Sequence, residues 1–297
     1  MAKSFLKKVA ECFTRLFGCK HTFNIDAFAA TDCGKIRPNN EDSLLLLNST
    51  PFYAVCDGMG GTSAGEVASA MMVEALEQNF QNEMGAKKGK DDSKIVKAAK
   101  HVNRKIHQYV KEHNLKAMGT TLVCLRMDPN CPSRGMVFNA GDSRAYRIRN
   151  NSVEQLTNDH SYARKVNIDE QFLTPRQRNS LTNAIGIGKK CYLERTDVGI
   201  RTGDLFILCS DGLYRSVNNE LLLQTCNDYA NKSSEELCRQ LIQLALDAGG
   251  RDNVSVVVVK VLSTGNVPFM ARWKHKEQDH CERIDIGWQN HLTPHTV

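Results

Sequence analysis

No two cysteines stand in a CxxC spacing, although the chain of 297 residues holds eleven of them. That spacing would signal a zinc cluster or a dithiol redox pair, so both are set aside. Cys56, Cys124 and Cys209 sit inside apolar runs, where cysteine behaves as a small hydrophobe. Reduced thiols throughout point to a reducing compartment and a cytoplasmic protein. No apolar stretch approaches the roughly 18–20 residues that a bilayer crossing needs. The N-terminus, MAKSFLKKVAECFTRLFGCKHTF, has no secretory h-region, because charge interrupts its apolar residues. GxxxxGK[ST] is absent, which removes the P-loop hydrolases. There is no internal repeat and no low-complexity tract.

What is present is the material of a globular protein. Hydrophobic residues at 41% and charged residues at 24% supply an ample core for one large domain or two small ones. A net charge of +6 argues only faintly for an anionic partner. Residues 1–22 form a separate segment. Phe5, Val9, Phe13, Leu16 and Phe17 recur at helical spacing among Lys3, Lys7, Lys8, Arg15 and Lys20. This basic amphipathic helix either docks on its own domain, frays, or contacts a partner or an anionic membrane surface peripherally.

From about residue 23 the sequence is strand-like. LLLLN (44–48) and FYAVC (52–56), joined by a tight turn, read as neighbouring strands. Ser63 and Glu66 form a capping box for a helix reaching about Asn82. Ser93 caps a second long helix that ends near Asn114. Strands follow in TTLVCLRM, GMVFNAG and SRAYRIRN, with a turn at Arg149–Ser152 and a return strand in SVEQLT. Residues 159–180 are polar and irregular, apart from a short helix after Thr174-Pro175. LERTDVGIRT and DLFILCS are strands, Asn219 and Ser234 open helices, and NVSVVVVKVL is the last strand. After about 263 the tail is polar and shows no clear period. Short antiparallel-looking strand groups with long helices between them fit two packed sheets covered by helices better than a βαβ repeat.

One regularity carries the chemistry. FYAVC runs into Asp57, MVFNAG into Asp142 and LFILCS into Asp211. Asp252 immediately precedes NVSVVVV, and Glu41-Asp42 precedes LLLL. A single Asp-Gly is ordinarily a turn or a cap. Several acids at the ends of core strands, if the ends converge, repel one another in a low dielectric until protons or cations neutralise them. Oxygen donors with no His or Cys beside them select Mg²⁺ or Mn²⁺ over zinc. GMGGTSAG nearly fits the dinucleotide fingerprint, but its last position is Ser63, and two helices occupy the space where a second parallel strand should lie.

RPNNED (37–42), YAVCDGMGG (53–61), GTTL (119–122), NAGDSR (139–144), LTNDHS (156–161), LTNAIG (181–186), LCSDG around Asp211 and GGRDNVSVVVV (249–259) follow one another in order. Over residues 24–262 the sequence thereby resembles the metal-dependent protein serine/threonine phosphatases of the 2C type, in particular their compact bacterial forms. The resemblance implies an α+β fold, a four-layer αββα sandwich of two antiparallel sheets flanked by helix pairs, with residues 23–262 as the catalytic domain and 263–297 as a polar tail. It implies two Mn²⁺ or Mg²⁺ ions. Asp57 would bridge them, Asp211 and Asp252 would complete the first, and Glu41 with the Gly58 carbonyl would hold the second. Asp42 and Asn253 would orient bound waters, Asp142 would contribute to a third, weaker site, and Arg37 would grip the phosphate. A water bridging the ions would attack phosphorus directly. Phosphorylated proteins are the implied substrates, a serine/threonine kinase the implied opponent, and a monomer the expected state.

Three positions depart from the family's pattern or stand apart in it. Met59 stands where many animal members carry a histidine proposed as general acid and bacterial members commonly have Met, so the leaving alkoxide would take its proton from metal-bound water or by another route. Arg215 stands where some members have a further acid for the third metal. His160 lies within a motif and reads as structural. Two other functions compete. A catalytically weak phosphoprotein-binding relative would have lost metal ligands, and none is lost. A nucleic-acid-directed metal hydrolase draws on Lys87, Lys88, Lys90, Lys94, Lys97, Lys100, Arg104 and Lys105. This run reads as spread around a helix and interleaved with acids, a solvated face, so no nucleic acid is expected as a partner.

Overall fold

The computed structural model describes residues 23–60, 64–81, 91–128, 131–188, 191–264 and 281–286. The expected contact through residues 1–22 therefore lies outside the described residues. Strands β1 (Asn24–Asp32), β2 (Asp42–Leu47) and β3 (Phe52–Met59) lead into helices α1 (Ala64–Gln81) and α2 (Asp91–Glu112). Next come β4 (Gly119–Thr120), β5 (Leu122–Met127), β6 (Arg134–Ala140), β7 (Arg144–Arg149) and β8 (Ser152–Gln155). Short helices α3 (Tyr162–Val166) and α4 (Pro175–Arg178) flank a 3-10 turn before β9 (Tyr192–Gly199) and β10 (Leu205–Cys209). The one-turn helix α5 (Asp211–Tyr214), α6 (Asn219–Asp228), α7 (Ser234–Asp247), β11 (Val254–Ser263) and β12 (Cys281–Asp285) complete the order.

The strands form two antiparallel sheets. One runs β1-β11-β10-β7-β8 and the other β12-β9-β6-β5-β3-β2, with β4 paired to β3. The period of two decides which layer each side chain enters. On β3, Phe52, Ala54 and Cys56 face α1 and α2 and pack with Met72, Leu76 and Ile106. Tyr53 and Val55 face the other sheet and meet Val257, Val259 and Phe206. On β11, Val256 and Val258 face α7 and pack with Leu237 and Leu241. Both faces of each sheet are thus buried, which is why the central strands read as unbroken apolar runs rather than as alternation. The result is the four-layer αββα sandwich that the sequence implied.

Local chemistry explains the boundaries. Asn150 and Asn151 take positive φ of 51° and 58° in the β7–β8 turn, the left-handed pair that a two-residue hairpin needs. Asn218 caps α6 by accepting from the Leu221 amide. Ser233 and Glu236 close a capping box on α7. The Ser63 capping box proposed for α1 lies outside the described residues.

The expectations for α2 need two corrections. It begins at Asp91, so Ser93 lies inside it and does not cap it. Its basic run is also not interleaved with acids, since none occurs between Asp92 and Glu112. Lys97, Lys100, Arg104, Lys105 and Lys111 all emerge on the solvent side, because Ile95, Ala98, Ala99, Val102 and Ile106 take the core side.

Several elements had no counterpart in the sequence reading, among them α3, α5 and β12. The irregular stretch 159–180 contains α3, whose cap Ser161 accepts from the Arg164 amide. Within the polar tail, β12 adds an edge strand to β9, with Cys281 opposite Thr196 and Asp285 opposite Tyr192. Ile286 is buried at its end, and its amide donates to the Cys191 carbonyl at 2.8 Å.

Candidate active site

The antiparallel topology gathers the acids at one end of the sandwich. β2 begins there and β3 ends there, so the register sets Asp42 directly opposite Asp57. The β6–β7 loop brings Asp142, the end of β10 delivers Asp211, and the start of β11 delivers Asp252. An open chamber of about 1430 Å³ is lined by Arg37, Glu41, Asp57, Gly58, Asp142, Asp211, Asp252 and Asn253. Asp42 lies buried just beneath it. All nine residues singled out from the sequence therefore meet at one place.

The backbone around Asp57 is rigid. Its amide donates to Thr121 Oγ1 at 2.9 Å, and its carbonyl accepts from the Thr121 amide at 2.8 Å and from Thr120 Oγ1 at 3.2 Å. Ser210 Oγ donates to Asp42 Oδ2 at 2.8 Å and accepts from the Ser255 amide at 3.0 Å, which ties both sheets together beneath the acids. Asn253 accepts the Glu41 amide at 2.8 Å and donates to the carbonyls of Cys33 and Asn39. It thereby braces the loop that carries Arg37 and Glu41. Gly58 and Gly65 make the approach of β3 to α1 possible. A Cβ on Gly58 would stand 2.1 Å from the Gly65 carbonyl oxygen, and one on Gly65 would stand 2.7 Å from the Glu41 carboxylate.

This clustering is electrostatically costly. Burial, and then the neighbouring Asp42, Asp211, Asp142 and Asp252, push Asp57 well above the usual carboxylate range. Burial and the neighbouring Asp142 raise Asp211 to about 8, although Arg215 opposes this. Burial raises Asp42 to about 6 against hydrogen bonds from Ser255 and Ser210, and its Oδ1 has no partner among the described residues. Burial also raises Glu41 and Asp142. Like charges directly opposite on paired strands are unfavourable, so the arrangement calls for cations.

The donor set fits hard divalent ions. The acids at the chamber offer only oxygen and no His or Cys lines it among the described residues, which suits Mg²⁺ or Mn²⁺. Among the described residues no three His, Cys, Asp or Glu side chains stand close enough together to hold an ion by themselves. The acids instead surround open space, as expected for ions that keep several waters. Arg37 reaches across and donates to Asp252 Oδ2 at 2.8 Å, with half of its side chain exposed to the chamber.

Some contributors were not visible in the sequence. Tyr214 donates to Asp142 Oδ2 at 3.1 Å, and burial keeps its hydroxyl protonated. Arg144 stacks 3.5 Å over the Tyr214 ring and is held by Asp159. His160 is structural, as read. Its Nδ1 accepts from the Gly141 amide at 3.1 Å and from Asn183 at 2.9 Å, so Nε2 carries the proton toward Glu194 at 3.0 Å. Burial would raise Glu194, but hydrogen bonds from His160, Cys281 and Asn158 hold it at about 2. The core thiols Cys56, Cys124 and Cys209 are inert. Burial lifts Cys56 well above its usual value and Cys124 and Cys209 to about 12.

Two antiparallel sheets covered by helices, with an acid chamber open at one end, make a site suited to hard divalent cations. Comparison with known proteins agrees. The Protein phosphatase 2C family profile matches residues 38–247. The serine/threonine protein phosphatase PstP of Mycobacterium tuberculosis is 36% identical over 241 residues, covering 79% of this chain and 44% of PstP. The serine/threonine phosphatase stp of Listeria welshimeri is 33% identical, covering 77% of this chain and 93% of its own length. The chain thus spans less than half of the mycobacterial relative and nearly all of the Listeria one. The catalytic domain of PstP solved in complex with 2 manganese ions superposes with a TM-score of 0.70 at 34% identity, covering 82% of this chain and all of that one. The chain belongs to the protein phosphatase 2C family.

Among the described residues no helix is long and apolar enough to cross a membrane.

Proposed function

We propose that this chain hydrolyses phosphoserine and phosphothreonine esters in proteins. Asp57, Asp211 and Asp252 would hold one Mn²⁺ or Mg²⁺ ion, and Asp57, Glu41 and the Gly58 carbonyl a second. The observation that carries this reading is the β2–β3 register, which opposes Asp42 and Asp57 at the floor of an oxygen-lined chamber beside Arg37. The PstP complex with its manganese pair supports the count of two. Such ions, when bound, supply the Lewis acidity that activates water and spreads phosphoryl charge.

The chain's own residues do the rest. Asp42 and Asn253 hold the floor and the Arg37 loop in register. Arg37 offers a planar fork to two phosphate oxygens, sharing its guanidinium with Asp252. No cysteine lines the chamber among the described residues, and Cys56 and Cys209 beside it are buried and protonated, which favours direct attack on phosphorus. Met59 lines the chamber and carries no proton to give, so the alkoxide is protonated by another group. None of the acids is replaced, which favours catalysis over mere phosphoprotein binding. No residue of α2 lines the chamber, so its cationic face does not feed the site as a nucleic-acid hydrolase would require.

Phosphorylated proteins are the substrates in this reading, a serine/threonine kinase acts in opposition, and the protein works as a cytoplasmic monomer. Residues 1–22 supply a peripheral membrane or partner contact; equal membrane fractionation of the full chain and a chain starting at Thr22 would remove the membrane version. Phosphate release from a phosphothreonine peptide is expected in Mn²⁺ or Mg²⁺ and to be lost in excess EDTA. Full activity in EDTA would sink the metal mechanism.

A further inference from the structure

Arg215 follows α5 by one residue and turns back into the chamber. Its Nε lies 3.0 Å from Asp211 Oδ2 and an amino nitrogen 3.8 Å from Asp142 Oδ2. Its other amino group donates to Asn179 Oδ1 at 3.0 Å. One guanidinium therefore engages three chain segments: the end of β10, the β6–β7 loop and the stretch following α4. Asp142 receives the Tyr214 hydroxyl on the same Oδ2, and the stack of Arg144 on Tyr214 fixes that donor.

This geometry is at odds with a third ion. An ion between Asp142 and Asp211 would sit within a few ångströms of a guanidinium that cannot deprotonate, and the repulsion there is weakly screened. Asp211 Oδ2 is already engaged by Arg215, which leaves Oδ1 to serve the ion pair. A fork with five donors suits such bridging, whereas the point charge of lysine does not.

We propose that Arg215 is a tethered cation that takes the place of a third metal ion between Asp142 and Asp211. Through Asn179 it also positions segment 159–181 at the mouth of the chamber. The inference rests on the two-ion reading of the site. It makes Arg215 a positioning residue: its charge is permanent, so neutralisation of Asp142 does not depend on metal supply.

The test is calorimetric titration of the purified, metal-stripped full chain with Mn²⁺. Arg215→Asp is expected to bind one more Mn²⁺ per chain than wild type, at lower affinity, and Arg215→Lys to keep the wild-type count. An Arg215→Asp protein with the wild-type count overturns the proposal while leaving the two-ion reading intact. A wild type that binds no Mn²⁺ overturns that reading and this proposal with it. If Arg215→Asp does not fold, Arg215→Asn asks the same question, and an unchanged count there also overturns the proposal. The tether has its own readout. Asn179→Ala and Arg215→Lys should speed tryptic cleavage after Arg164 and Lys165 about threefold or more, followed by mass spectrometry. Wild-type cleavage rates in both variants would overturn the positioning of the segment.

Discussion

Gly65 decides whether Glu41 has room. A methyl group there would lie 2.7 Å from the Glu41 carboxylate, so Gly65→Ala must move either the acid or α1. Misplacing a group by an ångström costs on the order of a hundredfold in rate, and that is the expected loss in kcat, measured at saturating Mn²⁺ with folding checked by circular dichroism. Arg37→Ala should raise KM for a phosphopeptide about tenfold or more, because the exposed fork contributes ground-state grip on phosphate. An unchanged KM would mean that Arg37 serves only Asp252. At this scale the acids were legible and their supports were not. A carboxylate abutting an apolar run is visible in one dimension. The pairing of Ser210 with Asp42 spans 168 residues and that of Thr121 with Asp57 spans 64, so only the folded sheets reveal them. Gly65 was hidden for the same reason, since its need for hydrogen comes from Glu41 across the fold.

Among the elements, β12 is the strand the sequence concealed. CERID alternates half-buried and exposed positions with a single aliphatic residue, too weak a pattern to stand out in a polar tail. What anchors it is Ile286, 1% exposed, at its far end. Ile286→Ala is expected to cost about 2–4 kcal/mol in urea denaturation with unchanged turnover per folded molecule. The central strands were legible because burial on both faces writes long apolar runs. The same feature gives no alternation from which to assign faces, so the division between the inter-sheet core and the two helix-covered cores needed the structure. α2 misled in a different way. Its lysines stand at 94, 97, 100, 105 and 111 with no single repeat, and only the burial of Ile95, Ala99, Val102 and Ile106 shows that Lys97, Lys100, Lys105 and Lys111 share one solvent face.

For the molecule as a whole, the acid end works against folding until something neutralises it. Asp211 at about 8 and Asp42 at about 6 bind protons more tightly folded than unfolded, where aspartate titrates near 4. Their contribution is therefore full below about pH 4 and is lost as pH rises through 6 and 8. Metal-free protein should melt at lower temperature at pH 8 than at pH 5. Added Mn²⁺ should raise the melting temperature by on the order of several degrees, and more at pH 8 than at pH 5, because the ion replaces the lost protons. A melting temperature indifferent to Mn²⁺ at pH 8 would argue against ion binding by these acids. The central claim is that Asp57 organises the chemistry at this end. It is tested most directly by phosphate release from a phosphothreonine peptide at saturating Mn²⁺, wild type against Asp57→Asn. The expected result is a loss of about a thousandfold or more with the circular dichroism spectrum unchanged; activity within about tenfold of wild type would contradict it.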